Sequence, residues 1–264
     1  DISRIPTSIN GCITNGSHRL ATALFLNIKS LEVEETNSAK HIYDYKFFIE
    51  RGISLDLVDL VIYSSLYCTN NNYLAIIWPS ANKKVDYIND FPNILYEKKI
   101  ALNPRGAQSF TAKVYEEHKW VGSFDEGYTG AINKVNETFK DYTPIHFVFF
   151  KENSLEKVIR IKERLRDKFG IKKASIHITD TNEETQDIGR IILNKNSIHF
   201  MNFGVPNKFP ETFNKLKIFK EILDKNEIDL SSIVLTGDVI LSLYGLKSTD
   251  NIEFLSTNQL EFEL

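Results

Sequence analysis

The chain has 264 residues, 42% of them hydrophobic, and a formal net charge of -3 at pH 7. That length supports one large or two medium domains with true cores, and the slightly acidic balance argues against a chain built to coat nucleic acid. Two cysteines, Cys12 and Cys68, are too few for a disulfide framework or a cysteine-rich zinc site and point to a reducing compartment.

In chain order, Cys12 to Thr14 reads as a short strand that turns at Asn15-Gly16 into a helix, Ser17 to Asn27. Leu20, Ala21, Leu24, Phe25 and Ile28 recur at helical spacing, and Ser17 is placed to cap. Ser30 to Thr36 alternates as a strand. Helices are predicted over Ala39 to Glu50, with Ile42, Tyr45, Phe48 and Ile49 on one side, and over Ser54 to Cys68. Tyr73 to Pro79 is a short buried strand. From Ala81 to Tyr128 the pattern is weak: Leu102 to Phe110 reads as a loop, and Gly127 to Phe139 as a helix.

Alternation then sharpens. Strands are predicted over Pro144 to Phe150, Ala174 to Thr179 and Ser197 to Phe203, with helices over Ser154 to Phe169 and from Asp180-Thr181 to about Asn194. Glu183 and Glu184 suit the start of that second helix. Gly204 to Pro210 is a linker, followed by a helix (Glu211 to Lys225), a strand (Ser232 to Leu235), a short helix (Asp238 to Tyr244) and a strand (Ile252 to Leu255). The expected fold is α/β: an α+β N-terminal part over 1–125 and a C-terminal α/β unit with a mostly parallel sheet over 144–264, divided near 121–143.

No apolar run reaches the roughly 18–20 residues of a membrane helix; the longest, Leu57 to Tyr67, contains Asp59 and two serines. The opening DISRIPTSIN has no apolar stretch of the kind a secretory signal carries. A cytoplasmic protein without a membrane segment is expected.

The turn Asn15-Gly16-Ser17-His18-Arg19 carries the most chemistry. A helix N-terminus leaves backbone N–H groups unpaired and holds about half a positive charge, which suits an anion. Arg19 adds a planar cation matched to phosphate oxygens, His18 a titratable donor, and Ser17 a hydroxyl. The same residues also read as a plain Asn-Gly turn with a serine cap and with His18 and Arg19 facing solvent.

Strand, Asn-Gly, Ser, His-Arg, then the helix and strand LATALFLNIKSLEVE together resemble the ParB/sulfiredoxin-like superfamily over roughly Ile5 to Thr36. That superfamily includes sulfiredoxins, free-serine kinases and the CTP-binding domains of ParB, whose Gly-x-His-Arg or Cys-His-Arg turn holds nucleotide phosphates. The resemblance implies a nucleotide site at Gly16, Ser17, His18 and Arg19, with Asn15, His18 and Arg19 as candidate catalytic residues. Asn15 stands where kinase-like members carry an acid, and an amide does not act as a base. Ser17 stands where sulfiredoxins carry cysteine. The upstream partner acid of the kinases has only Asp1 as a counterpart.

Near the C-terminus, SSIVLTGDVILSLYGLKSTDNIEFL (Ser231 to Leu255) resembles the start of a nucleotidyltransferase-like fold, whose turn binds triphosphate and whose paired acids hold magnesium. The turn corresponds to Gly237-Asp238 and the acid pair to Asn251 and Glu253, with Asp250 alongside. Asp238 and Asn251 depart from that pattern, so a degenerate copy kept for packing or binding is expected.

Three further groups carry candidate chemistry. His177, Asp180 and Glu183 lie where a strand meets a helix, a place open α/β sheets use for ligands, though capping explains the acids equally. Arg160 to Lys168 is a basic face with interleaved acids, read as solvated. Arg105 sits in a polar stretch able to close over a ligand. The histidines, His18, His41, His118, His146, His177 and His199, show no metal spacing.

These readings converge on a nucleotide-dependent phosphotransferase, a small-molecule kinase using ATP or another nucleoside triphosphate with Mg2+ and acting on an amino acid or a sugar. A non-catalytic nucleotide-sensing or partner-binding module is the alternative, and a ParB-like nucleic-acid-binding protein the second. Nucleic acid is not the expected partner, and the sequence is silent on oligomeric state.

Overall fold

The computed structural model describes residues 4–9, 11–37, 43–81, 84–123 and 126–257. By contacts the chain forms two compact units, each assembled from three segments: Asp1–Ile77, Lys83–Lys98 and His146–Leu193 in the first, Trp78–Asn82, Lys99–Ile145 and Asn194–Leu264 in the second.

The first unit opens with a small β-α-β element: β1 (Ile5–Ser8), α1 (Ser17–Phe25) and β2 (Val33–Thr36). β1 and β2 pair in parallel, with Ile5 opposite Val33 and Ser8 opposite Thr36. The strand expected at Cys12 to Thr14 is reduced to one antiparallel bridge, Thr7 to Ile13. Next come α2 (Tyr45–Glu50) and α3 (Leu55–Cys68). The expected start of α2 at Ala39, and Ile42 and His41 with it, lie outside the described residues; Asp44 caps the helix, accepting from the Phe47 N–H at 2.9 Å.

A four-stranded sheet forms the core. It contains β3 (Asn72–Ile77) and β4 (Ile94–Ile100), and two strands introduced below. Between β4 and those strands run α4 (Pro104–Val114) and α5 (Thr129–Thr138), both of the second unit. Then follow β5 (Ile145–Lys151), α6 (Leu155–Phe169), β6 (Ile176–Ile178) and α7 (Asn182–Ile192). The strand order is β4-β5-β3-β6. Leu74, Ala75, Ile76 and Ile77 on β3 and Phe147, Val148, Phe149 and Phe150 on β5 are all fully buried. Successive side chains point to opposite faces, so both faces of the sheet are covered. Each of the large ones, Ala75 apart, contributes roughly 1.5–3 kcal/mol of burial.

The mixed α/β class holds, but the largely parallel sheet does not. β5 and β6 run the same way, as the alternation suggests, yet β3 lies between them and pairs antiparallel with each, Leu74 opposite Phe149 and Ala75 opposite Ile178. A strand from the first half is thus the central partner of strands from the second, so the sheet crosses the division expected near 121–143.

The second unit continues with α8 (Lys195–Phe203), α9 (Pro210–Lys225), β7 (Ile233–Thr236), α10 (Asp238–Leu243) and β8 (Glu253–Ser256). β7 and β8 pair antiparallel, Thr236 opposite Glu253. Two assignments change here. Leu102 to Phe110 is not a loop: Asn103 caps α4 through a 2.9 Å bond from the Gly106 N–H, and Pro104 sits at the first helical position, a favourable start. Ser197 to Phe203 is not a strand: the Asn194 side chain accepts from the N–H of Asn196 and of Ser197 and starts α8.

Candidate functional site

The turn Asn15–Arg19 lies between the bridge at Ile13 and the first turn of α1. Because Cys12 to Thr14 runs back along β1, with the Thr14 N–H donating to Pro6 O at 3.0 Å, the turn arrives beside the start of that strand. Gly16, at φ 90 and ψ 22, is the N-cap; Ser17, expected to cap, is instead the first helical residue. A left-handed backbone favours glycine there, and Gly16 brings no side-chain oxygen to the first-turn N–H groups. Asn15 Oδ1 accepts from the Gly16 N–H at 2.7 Å and so stiffens the turn.

Arg19 closes the arrangement. Its Nη1 donates to Arg4 O at 3.0 Å, and a Cβ at Gly16 would stand 2.9 Å from Nη2. The guanidinium therefore lies against the turn, close to where a side chain on Gly16 would begin. Asn15, Ser17, His18 and Arg19 are all solvent-exposed. The parallel register also brings in two residues absent from the sequence reading. Ile5 N–H donates to Glu32 O at 3.0 Å, and Arg4 pairs with the Glu32 carboxylate at 3.3 Å. A second guanidinium and a carboxylate thus stand at the same end of β1. Their signal was the β1–β2 pairing, invisible without a strand at Ile5–Ser8. Asp1 lies outside the described residues.

This geometry can hold an anion: N–H groups at a helix start and a guanidinium folded beside them. The residues fit the phosphates of a nucleotide. For magnesium they offer less, since among the described residues no group of three His, Cys, Asp or Glu is placed to hold a metal ion.

The C-terminal turn is compact. Gly237, at φ 64 and ψ -143, starts α10, and Glu253 packs against it so closely that a Cβ would lie 1.9 Å from Oε2. Asp238 pairs with Lys247 at 2.5 Å and Asp250 with Lys215 at 2.9 Å. Lys215 holds the Asp250 carboxyl below its usual range. Thr249 Oγ1 accepts from the Asn251 N–H at 3.2 Å.

The candidates around α7 and α6 are engaged in caps and ion pairs. Thr181 caps α7 through the Glu184 N–H at 3.1 Å, and Glu184 binds His177 Nε2 at 3.0 Å and the Asp180 N–H at 2.7 Å. Asp180 pairs with the buried Lys162 at 2.8 Å. On α6, Arg164 and Lys168 both pair with Asp90, at 3.0 and 2.7 Å, and Arg160 pairs with Glu156. His199 Nδ1 lies 2.8 Å from the Tyr244 hydroxyl, and His118 stacks on Trp120.

A polar chain runs through the first unit around the buried His146 and Tyr87. Glu97 Oε2 lies 3.2 Å from His146 Nε2, and His146 Nδ1 lies 2.6 Å from the Tyr87 hydroxyl. A carboxylate only accepts, so Nε2 carries the proton, and in the neutral ring Nδ1 accepts from Tyr87. Burial first, then the Glu97 charge, pushes the Tyr87 phenol up to about 12. Tyr45 donates to the other Glu97 oxygen at 3.2 Å.

No family model, curated protein or solved structure matches the chain. Among the described residues no helix is long and apolar enough to cross a membrane.

Proposed function

We propose that this chain is a nucleotide-dependent phosphotransferase, a small-molecule kinase in the broad sense, that takes ATP or another nucleoside triphosphate at the turn Asn15–Arg19. The observation that supports it most is the Arg19 guanidinium folded over a glycine-capped helix start. In this reading the first-turn N–H groups and Arg19 hold phosphate oxygens. His18 and Ser17 orient phosphate or acceptor, and Asn15 positions the acceptor. Arg4 adds a second cation beside the turn. Transfer of a phosphoryl group depends chiefly on position and charge neutralisation, so a small constellation suffices. Mg2+, carried by the nucleotide, would neutralise phosphate charge. An amino acid or a sugar is the proposed acceptor.

A second reading, a nucleotide sensor without turnover, draws on a different observation: the Asn15 carbonyl oxygen is already engaged by the Gly16 N–H. An amide tied into its own turn is suited to shaping the site and is no base.

Incubation with γ-labelled ATP, Mg2+ and pools of amino acids and sugars separates the two. Transfer of label that is lost in Arg19→Ala supports the kinase. Nucleotide binding without transfer to any pool overturns it in favour of the sensor. Retention on a DNA column at mild salt, lost at high salt, would instead favour a nucleic-acid protein.

A further inference from the structure

The second unit contains a cavity of about 530 Å³ that the turn at Asn15 does not involve. Its size falls in the range of small-molecule sites, roughly 300–1,000 Å³. One wall is a single face of α4. Arg105, Gln108, Ser109, Ala112 and Lys113 line it, and their spacing of three and four residues stacks them along one side of the helix; Glu116, just past the helix end, extends the wall. The rest of the lining includes Gly204, the apolar Val205, Pro206 and Phe213, and the polar Asn207.

The N-terminal part of this wall is fixed by two bonds. Arg105 Nη1 donates to Gly204 O at 3.3 Å, which anchors the guanidinium at one rim. Gln108 Nε2 donates to Gly127 O at 3.1 Å and ties the helix to the segment that supplies Tyr128. Tyr128 itself lines the cavity at φ 51 and ψ 48. That left-handed backbone is strained for a bulky side chain, and such strain concentrates at ligand sites.

The charges are ordered along the groove. Arg105 stands at one end, and the Lys113–Glu116 ion pair at the other, separated by roughly 12 Å of helix. A guanidinium suits a phosphate head by two parallel hydrogen bonds. A neutral ion pair suits hydroxyls, to which it offers both donors and an acceptor. We infer that this cavity binds a small phosphate monoester with a hydroxyl-bearing body. Its phosphate meets Arg105, its body lies against Val205, Pro206 and Phe213, and its far hydroxyls meet Lys113 and Glu116. This site is independent of the proposed nucleotide turn and stands whether or not the chain transfers phosphate.

The test is calorimetric titration of the full chain with glucose 1-phosphate, uridine monophosphate and phenyl phosphate, each beside its phosphate-free parent and inorganic phosphate. At least one ester should bind saturably and at least tenfold more tightly than its parent and than phosphate alone. Arg105→Gln should weaken that binding about tenfold or more, and Ser109→Trp, which fills the groove from an exposed position, should abolish it. Arg19→Ala should leave it unchanged. Thermal melting at the parent temperature certifies that Ser109→Trp is folded. Failure of all three esters to bind, or binding indifferent to both Arg105→Gln and a folded Ser109→Trp, overturns the assignment; loss in Arg19→Ala alone moves the binding to the turn.

Discussion

The Arg19 guanidinium folds back over the start of its own helix and donates from Nη1 to the Arg4 carbonyl, 3.0 Å away. That bond uses one edge of the fork and orients the rest against Gly16. Lysine, a point charge on a flexible stem, holds a carbonyl or a phosphate but not both in a fixed plane. Arg19→Lys should therefore weaken ATP binding about tenfold, and Arg19→Ala more. Since Arg19 is exposed, the thermal midpoint should barely move, by less than about 1 kcal/mol in stability. Titration calorimetry beside a melt measures both. Full affinity in Arg19→Lys would reduce the arginine to a turn-stabilising role.

Asp59 is 4% exposed and accepts from the Tyr96 hydroxyl at 2.8 Å and from Lys98 at 2.5 Å. Removing one partner of a buried pair leaves an uncompensated charge and costs about 3–5 kcal/mol. Asp59→Ala should lower the unfolding free energy by that amount, read from urea denaturation. Glu156→Ala breaks the fully surface pair with Arg160 and should cost less than about 1 kcal/mol. Equal effects from the two variants would mean that the Asp59 pair is solvated in solution.

The same two pairs explain what could be read from the sequence. Helices with a clean apolar stripe or cap, such as α6 with Ser154 before it and Gly170 after it, were legible from local pattern. β4 was not. Its run Glu97-Lys98-Lys99 looks like solvent, because the partners of Glu97 and Lys98, a hydrogen bond from His146 and the Asp59 carboxylate, come from distant segments. Partners far along the chain are what local periodicity omits. α8 failed for the opposite reason: Ser197 to Phe203 alternates well enough for a strand, but Asn194 supplies a helix cap. In the candidate site, the motif Asn15–Arg19 was legible, while Arg4 and Glu32 enter only through the pairing of β1 with β2. The central position of β3 follows from long-range pairing alone.

Tyr87, held by His146 and raised to about 12, sets an alkaline limit. In the unfolded chain a tyrosine ionises near 10. Between those values the folded state keeps a proton that the unfolded state has lost, so stability falls as pH rises. The contribution is complete below about pH 10 and is lost as pH climbs toward 12. Tyr45 and Tyr96, also raised by burial first, act in the same direction. Urea midpoints should fall from pH 9 to pH 11, and Tyr87→Phe should flatten part of that decline. A midpoint constant across this window would contradict the buried, protonated phenol.

Glu253 lies where a side chain on Gly237 would have to go. Gly237→Ala combines that clash with a backbone conformation open essentially to glycine, and should destabilise the protein by about 1–3 kcal/mol. Glu253→Ala removes the obstacle and should be tolerated, with any phosphotransfer activity unchanged if this segment serves packing. Loss of transfer in a stably folded Glu253→Ala would make the carboxylate part of the chemistry.

Gly106 and Asn202 lock α4 to α8. Asn202 Oδ1 accepts from the Asn103 N–H at 2.9 Å, Asn202 O accepts from Asn103 Nδ2 at 2.8 Å, and a Cβ on Gly106 would stand 2.2 Å from Oδ1. Gly106→Ala must displace the amide and break the first bond, although alanine is the better helix former. The clash outweighs the propensity gain of about 1 kcal/mol, so a net loss of about 1–3 kcal/mol is expected. Asn202→Ala alone keeps the backbone acceptor and loses one hydrogen bond. In the double variant the clash is gone and the helix gains alanine, so Gly106→Ala should be neutral or stabilising in the Asn202→Ala background. A double-mutant cycle by urea denaturation reads this directly: a coupling near zero would show that the two helices are not held by this contact.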